Sequence, residues 1–502
     1  MKGSFLKIVG AVAFINIVAR LVGFAREVVI GYQYGTSYYA DSINLALTIP
    51  NFLYMVVGGA ITTAFISVYS KLKDDQKGDF ISSTFSYITV VIGALTIGLI
   101  LLAAPILNLL FGGISQEAFQ LTLELYYWMA PSTFLLVLAM WMSGVLNVHE
   151  KFKLSSFSTL LYNSVFLLFA VGFTFLFGIY SYGLGALIGS AAMAISLLFG
   201  FKGVRKRVFR FRFKRSPELK RLWIIAIPIL IGGATLQLYT IIQRVFAADL
   251  PHGSISAINY ASKLTQFPQA VLMTAVTTVI YPLLSKKVGQ QDYDGLAHLF
   301  HRGNRLLGLL LIPVTIFVVL YSKEIVEVVF QYGSFDEQSV ALTAPYLQIF
   351  ALSMFSLAAN VYITRFFYAN EVSYVPVIIS IVCIFGVNIL AVLLLMPSLG
   401  GIAIAWGTVI SSIINYFLLR IMANFVLKLK LNSENISYSV RNYLFYIAVT
   451  VASWATSEFL SGFNSWIRLF IALVLFVGYV LVFMRILGIR DLLFLRKNKQ
   501  NM

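Results

Sequence analysis

Apolar runs of roughly 20 residues recur from one end of this 502-residue chain to the other. Each is long enough to cross a hydrocarbon core about 30 Å thick as an α-helix. The chain is 59% hydrophobic and only 11% charged, too few charges to cover a water-exposed surface of this size. A closed β-barrel would need short alternating strands, and that pattern is absent from the sequence. The pattern therefore predicts an all-α polytopic membrane protein. About fourteen spans are expected, near 8–32, 38–70, 80–111, 117–148, 153–178, 182–201, 219–248, 254–284, 300–321, 338–368, 373–396, 400–426, 438–459 and 464–487.

The net charge of +17 orients the chain. With a cytoplasmic N-terminus, the inner segments hold Lys71, Lys73, Lys77, Lys151, Lys153, the cluster from Lys202 to Arg221, Lys286, Lys287, Arg302, Arg305, Arg365, Arg420, Lys428, Lys430, Arg441 and the basic tail. The outer segments hold only Lys323 and Arg468. By the positive-inside rule both termini are expected in the cytoplasm, and the basic excess serves topology rather than nucleic-acid binding. Lys2 and Lys7 precede an apolar stretch, as in a signal peptide, but no small-residue cleavage site follows. The stretch reads as a retained first span. The lone Cys383 and the scattered His149, His252, His298 and His301 form no metal-ligand pattern.

"FKGVRKRVFRFRFKRSPELKR" carries ten basic residues and one acidic, and separates the sixth and seventh spans. Its two flanks look like repeats. "AITTAFISVYSK" (60–71) aligns with "AVTTVIYPLLSK" (275–286), and "GLGALIGS" (183–190) with "GIAIAWGT" (401–408). Parallel repeats of this kind are a known transporter plan with the site between the halves. The expected organisation is a six-helix N-terminal lobe (1–201), a basic cytoplasmic linker (202–218), a six-helix C-terminal lobe (219–426), and two additional helices with a basic tail (427–502). Anionic headgroups of membrane lipids are the expected contact of the linker.

Four basic residues fall inside spans: Arg20, Arg26, Arg244 and Lys263. Burying a cation near mid-membrane costs about 2.5–3.5 kcal/mol on insertion scales, so such residues face a partner or a wet cavity. Arg20 would lie about 18 Å along the helix from Ile8, and Arg26 about 9 Å further. On a straight helix Arg20 shares a face with Glu27, while Arg26 points about 120° away. Two readings stand. Either Glu27 and Asp41 neutralise the arginines, or the arginines line a cationic cavity for an anionic substrate, a task for which the planar guanidinium suits phosphate oxygens. Gly23, Pro50, Gly58, Gly59 and Pro268 are hinge candidates.

No P-loop, nucleophile–His–acid set or metal cluster stands out, so the chain reads as a transporter without a cofactor, drawing on the membrane potential or an ion gradient.

At "ARLVGFARE", "YYADSINLALTIPNFL", "YASKLTQFPQAVL", "VFQYGSFDEQSVALTAPYLQIFAL" and "RFFYAN" the chain resembles the MurJ (MviN) family of lipid II flippases, within the superfamily that holds the MATE exporters. The resemblance covers most of the chain in order. It implies a two-lobe flippase of the bacterial cytoplasmic membrane, working by alternating access. The substrate would be an undecaprenyl-pyrophosphate-linked glycan precursor, foremost lipid II, moved from the inner to the outer leaflet, with cell-wall synthesis proteins as partners. It further implies a pyrophosphate cavity at Arg20, Arg26, Asp41 and Lys263. Arg244 and Gln266 would rearrange that cavity. Gln266 stands where the family usually has Glu, and Tyr54, Met55 and Gly58 stand where many members carry an Arg pair and a Glu. The alternatives are a flippase for another lipid-linked polysaccharide unit, a MATE-like drug/cation antiporter, which would need acidic residues deep in its cavity, and a non-transporting cell-wall scaffold.

Overall fold

The computed structural model describes residues 2–202, 208–429 and 436–489, the side chains of 2–9, 235, 236, 274, 275, 277–279, 281, 282, 285 and 436–439 excepted. Lys430 and most of the basic tail, together with Arg205, Lys206 and Arg207 of the linker, lie outside the described residues.

Among the described residues the regular structure is all helical. The principal helices are α1 (Lys2–Tyr34), α2 (Tyr38–Tyr69), α3 (Asp74–Leu101), α4 (Ala103–Phe111), α5 (Gln116–Val148), α6 (Phe152–Gly172), α7 (Tyr180–Gly200), α8 (Pro217–Ala247), α9 (Ser254–Gly289), α10 (Tyr293–Leu320), α11 (Ser322–Phe330), α12 (Glu337–Ala351), α13 (Met354–Ala369), α14 (Tyr374–Leu399), α15 (Ile402–Val426), α16 (Ile436–Phe459) and α17 (Ser465–Ile486). Among the described residues nine helices are long and apolar enough to cross a membrane, or eleven if α8, bent by 46°, and the α12–α13 pair, bent by 44°, each count as one span. The expected fourteen are therefore not reached on length and apolarity alone. The long helices α1, α9 and α16 fall at the expected first, eighth and thirteenth positions.

Local chemistry sets the helix ends. Ser216 caps α8 through the Leu219 N–H at 3.2 Å, with Pro217 in the first turn. Asp292 caps α10 through Gly295 and Asp336 caps α12 through Ser339, both at 2.8 Å. Asn464 starts α17 by accepting from the Trp466 N–H at 2.9 Å.

The chain packs as two compact units, Met1–Ser256 and Ala257–Met502. In the first, α6 and α7 pack on each other, α1 lies on α6, and α5 contacts α2, α3 and α7. The helix after the linker, α8, packs on the second half of α2 within this unit. The α2–α5 contact is close because Gly144 has no side chain: a Cβ there would come 2.7 Å from the Thr62 methyl. Thr62 Oγ1 donates to the Met140 carbonyl at 3.0 Å, a small-residue contact typical of membrane helices.

In the second unit, α15 packs against α12, α13 and α14, and α10 packs against α12, α13 and α16. The α16–α17 hairpin is held to α10 and α11 by a core of Phe317, Tyr321, Phe445, Val449 and Phe476.

Two spans contain a π-helical turn, Tyr54–Gly58 in α2 and Val382–Asn388 in α14. A π turn adds a residue to the helix and rotates the side chains beyond it. In α2 it falls on Tyr54, Met55 and Gly58, three positions at which the resemblance implies other residues.

Candidate functional site

The carboxylate of Glu27, which is 3% exposed, lies beside arginines of the first unit. Arg26, its neighbour on α1, donates to the Glu27 carboxylate at 3.1 Å, and its guanidinium lies over the Phe166 ring of α6, 4.6 Å from the centroid. Tyr162 and Tyr182 stand beside it. From α8, Arg244 comes close enough to Glu27 to interact electrostatically and donates to Thr48 Oγ1 at 2.5 Å. Thr48 in turn donates to the Asn44 carbonyl at 3.1 Å. Glu27 thus pairs with Arg26 and lies within electrostatic reach of a second guanidinium on another helix. The cluster of two cations and one anion keeps a formal charge of +1. Its burial costs desolvation, which the shared carboxylate, the hydroxyl and the aromatic face offset.

The fold places this cluster by pinning α1 to α6 and α7. Asn163 Nδ2 donates to the Ala19 carbonyl at 3.2 Å, Gln33 Nε2 to the Ala170 carbonyl at 3.3 Å, and Tyr182 Oη to Gln33 Oε1 at 2.8 Å. Gly23 sits within an unbroken helix, where an added Cβ would lie 3.6 Å from Asn163. Arg20 stands on the same face of α1 as Glu27 but is exposed, and has no ion-pair partner among the described residues. That face is covered at the height of Glu27 and open two turns nearer the N-terminus.

Asp41 takes a different part. Its carboxylate accepts the backbone N–H of Gly253 at 2.6 Å and of Ser256 at 2.7 Å, capping the start of α9. Among the described residues it pairs with no arginine. Gly253 adopts φ +87°, and a Cβ there would come 2.3 Å from the Thr36 carbonyl oxygen, so the α8–α9 connection can approach the α1–α2 connection only with glycine.

Lys263 and Gln266 lie on α9 in the second unit, the first half-buried and the second exposed. Of the expected hinges, Pro50 is buried four residues before the π turn, Gly58 closes that turn against Met140, Gly59 has open space where a Cβ would be, and Pro268 is half-buried in α9. The structure thus brings Arg26 and Arg244 near Glu27 and leaves Arg20 exposed on α1. Phe166 and Thr48 complete the site without having been candidates in the sequence. No motif marks either, since both act by where other helices bring them.

The family model described as lipid II flippase MurJ matches residues 30–477. A Treponema pallidum (strain Nichols) protein named probable lipid II flippase MurJ is 26% identical over 486 residues, covering 92% of this chain and 90% of its own length. The lipid II flippase MurJ of Burkholderia cenocepacia is 27% identical over 379 residues, 73% of each chain. A solved lipid II flippase MurJ in an inward closed conformation superposes with a TM-score of 0.80 at 23% identity, covering 96% of this chain and 99% of that one. An inward-facing MATE multidrug transporter superposes with a TM-score of 0.70 at 12% identity, covering 82% and 99%. At these identities the two structures bear on the fold alone.

Proposed function

The chain belongs to the MurJ family of lipid II flippases, and we propose that it carries lipid II from the inner to the outer leaflet of the bacterial cytoplasmic membrane by alternating access. The protein is a transporter rather than an enzyme. The observation that carries the reading of its site is the buried Arg26–Glu27–Arg244 cluster, positive overall, beside an exposed Arg20 on the same helix.

A polyprenyl tail is at home in the bilayer; the pyrophosphate and glycan are not. Cationic side chains can replace the water that solvates the pyrophosphate during the crossing. In this account Arg20 meets the anion first and Arg26 engages it further along α1; Lys263 on α9 is a further candidate for the pyrophosphate. Arg244, within electrostatic reach of Glu27, keeps the cluster positive overall. Gln266 offers an amide donor, and Asp41 holds the start of α9. The π turn at Tyr54–Gly58 and the hinge candidates Gly23, Pro50, Gly59 and Pro268 allow rocking. The lobes are 1–201 and 219–426, joined by the linker 202–218, with the last two spans outside the repeat and both termini in the cytoplasm. The membrane potential or an ion gradient drives the cycle, and cell-wall synthesis proteins are the partners. A positive cluster is the wrong polarity for a cation antiporter.

Conditional depletion in a bacterial host tests the function. The expected result is accumulation of lipid II in the inner leaflet. A normal lipid II distribution with loss of a different surface glycan would transfer the protein to that other lipid-linked substrate.

A further inference from the structure

The described part of the linker is an extended strap along α3. Phe209 packs with ring centroids 5.4 Å from Phe85 and 4.8 Å from Phe201; Phe211 lies 5.3 Å from Phe85; Phe213 lies 5.6 Å from Tyr87. The Arg212 N–H donates to Ser86 Oγ at 2.7 Å, and Asp79 holds the Arg212 guanidinium and, at 3.4 Å, the Lys214 ammonium. The strap is therefore fixed in place, yet Phe211 and Phe213 each remain 59% exposed. Arg210, Arg215, Lys220 and Arg221 are exposed as well.

We propose that this strap is a binding site for anionic phospholipid of the cytoplasmic leaflet, with Phe211 and Phe213 at the acyl boundary and Arg210, Lys214 and Arg215 on the headgroup phosphates. Two observations favour lipid over an acidic protein. Phe213 packs on Tyr87, one helical turn before Val90 and Val91, where α3 begins its row of exposed apolar residues, so the rings continue a lipid-facing band. Exposed rings and exposed cations also lie within the same short segment, as an interfacial segment needs. The proposal relies on the cytoplasmic placement of the linker and is independent of the substrate.

The test uses full-length protein in neutral detergent, with native mass spectrometry of retained lipid at graded phosphatidylglycerol, and phosphatidylcholine as the control. Wild type is expected to retain phosphatidylglycerol preferentially. The triple variant R210Q/K214Q/R215Q is expected to bind it on the order of a hundredfold more weakly, about fivefold per removed charge. Phe211→Ser/Phe213→Ser keeps every charge and reads the aromatic half; weakened retention is expected there too, and it carries the test should the triple variant aggregate. Equal retention by wild type and variants, or no preference for phosphatidylglycerol in wild type, would overturn the proposal. So would an acidic protein that co-purifies with wild type and is lost from the variants while lipid retention is unchanged.

Discussion

The Glu27 carboxylate accepts from Arg26, its neighbour on α1, at 3.1 Å, while Arg244 approaches the same carboxylate from α8. Sharing of this kind has an asymmetric consequence. Removing one arginine leaves a neutral pair; removing the carboxylate leaves two buried cations without their anion. Glu27→Gln is therefore expected to destabilise the protein by about 3–5 kcal/mol, the usual cost of breaking a buried pair from one side. Arg26→Met should cost less. Thermal melting of the purified variants in detergent checks the order, and an Arg26→Met variant that melts below Glu27→Gln would contradict it.

The Asp41 cap predicts local opening. Asp41→Asn keeps one acceptor oxygen and loses the charge, so the start of α9 should lose about 2 kcal/mol. Gly253→Ala should cost more, because it both strains a φ of +87° and drives a methyl into the Thr36 carbonyl. Hydrogen exchange at the Gly253 and Ser256 amides is the measurement. Faster exchange is expected in both variants, and unchanged protection in Asp41→Asn would remove the cap from the account.

A third prediction concerns the last two helices. Arg468 on α17 pairs with the buried Glu324 of α11, and donates to the Ser457 carbonyl and hydroxyl, each at 3.0 Å. Its guanidinium also lies 5.8 Å from the Tyr321 ring centroid. Arg468→Gln strands Glu324 and should cost about 3–5 kcal/mol, whereas Arg468→Met/Glu324→Leu should recover most of that loss. Melting curves of the two variants decide the matter. A double variant no more stable than the single would show that the loss does not come from the stranded carboxylate.

Helix positions were legible because apolar run length and loop charge are local properties; the expected 117–148 and the observed Gln116–Val148 differ by one residue. Contacts over long separations were not. The Asp41 cap joins residues 212 apart, and nothing near Asp41 announces it. Arg26 posed a local puzzle, since an ideal helix turns it away from Arg20. The answer lay in α6: Phe166 takes the guanidinium face, and Arg26 reaches its adjacent carboxylate without any break at Gly23. The π turn at Tyr54–Gly58 was equally hidden, because a π turn is a property of backbone packing and has no residue signature of its own.

The most direct measurement is outward movement of lipid II in vesicles reconstituted with the full-length protein, read by a membrane-impermeant reagent, for wild type and for Arg20→Ala, Arg26→Ala and Lys263→Ala at equal incorporation. The account predicts movement by wild type and a loss of roughly tenfold to a hundredfold in each variant, the range for removing one charged hydrogen bond to the pyrophosphate. Full activity in all three variants would contradict it.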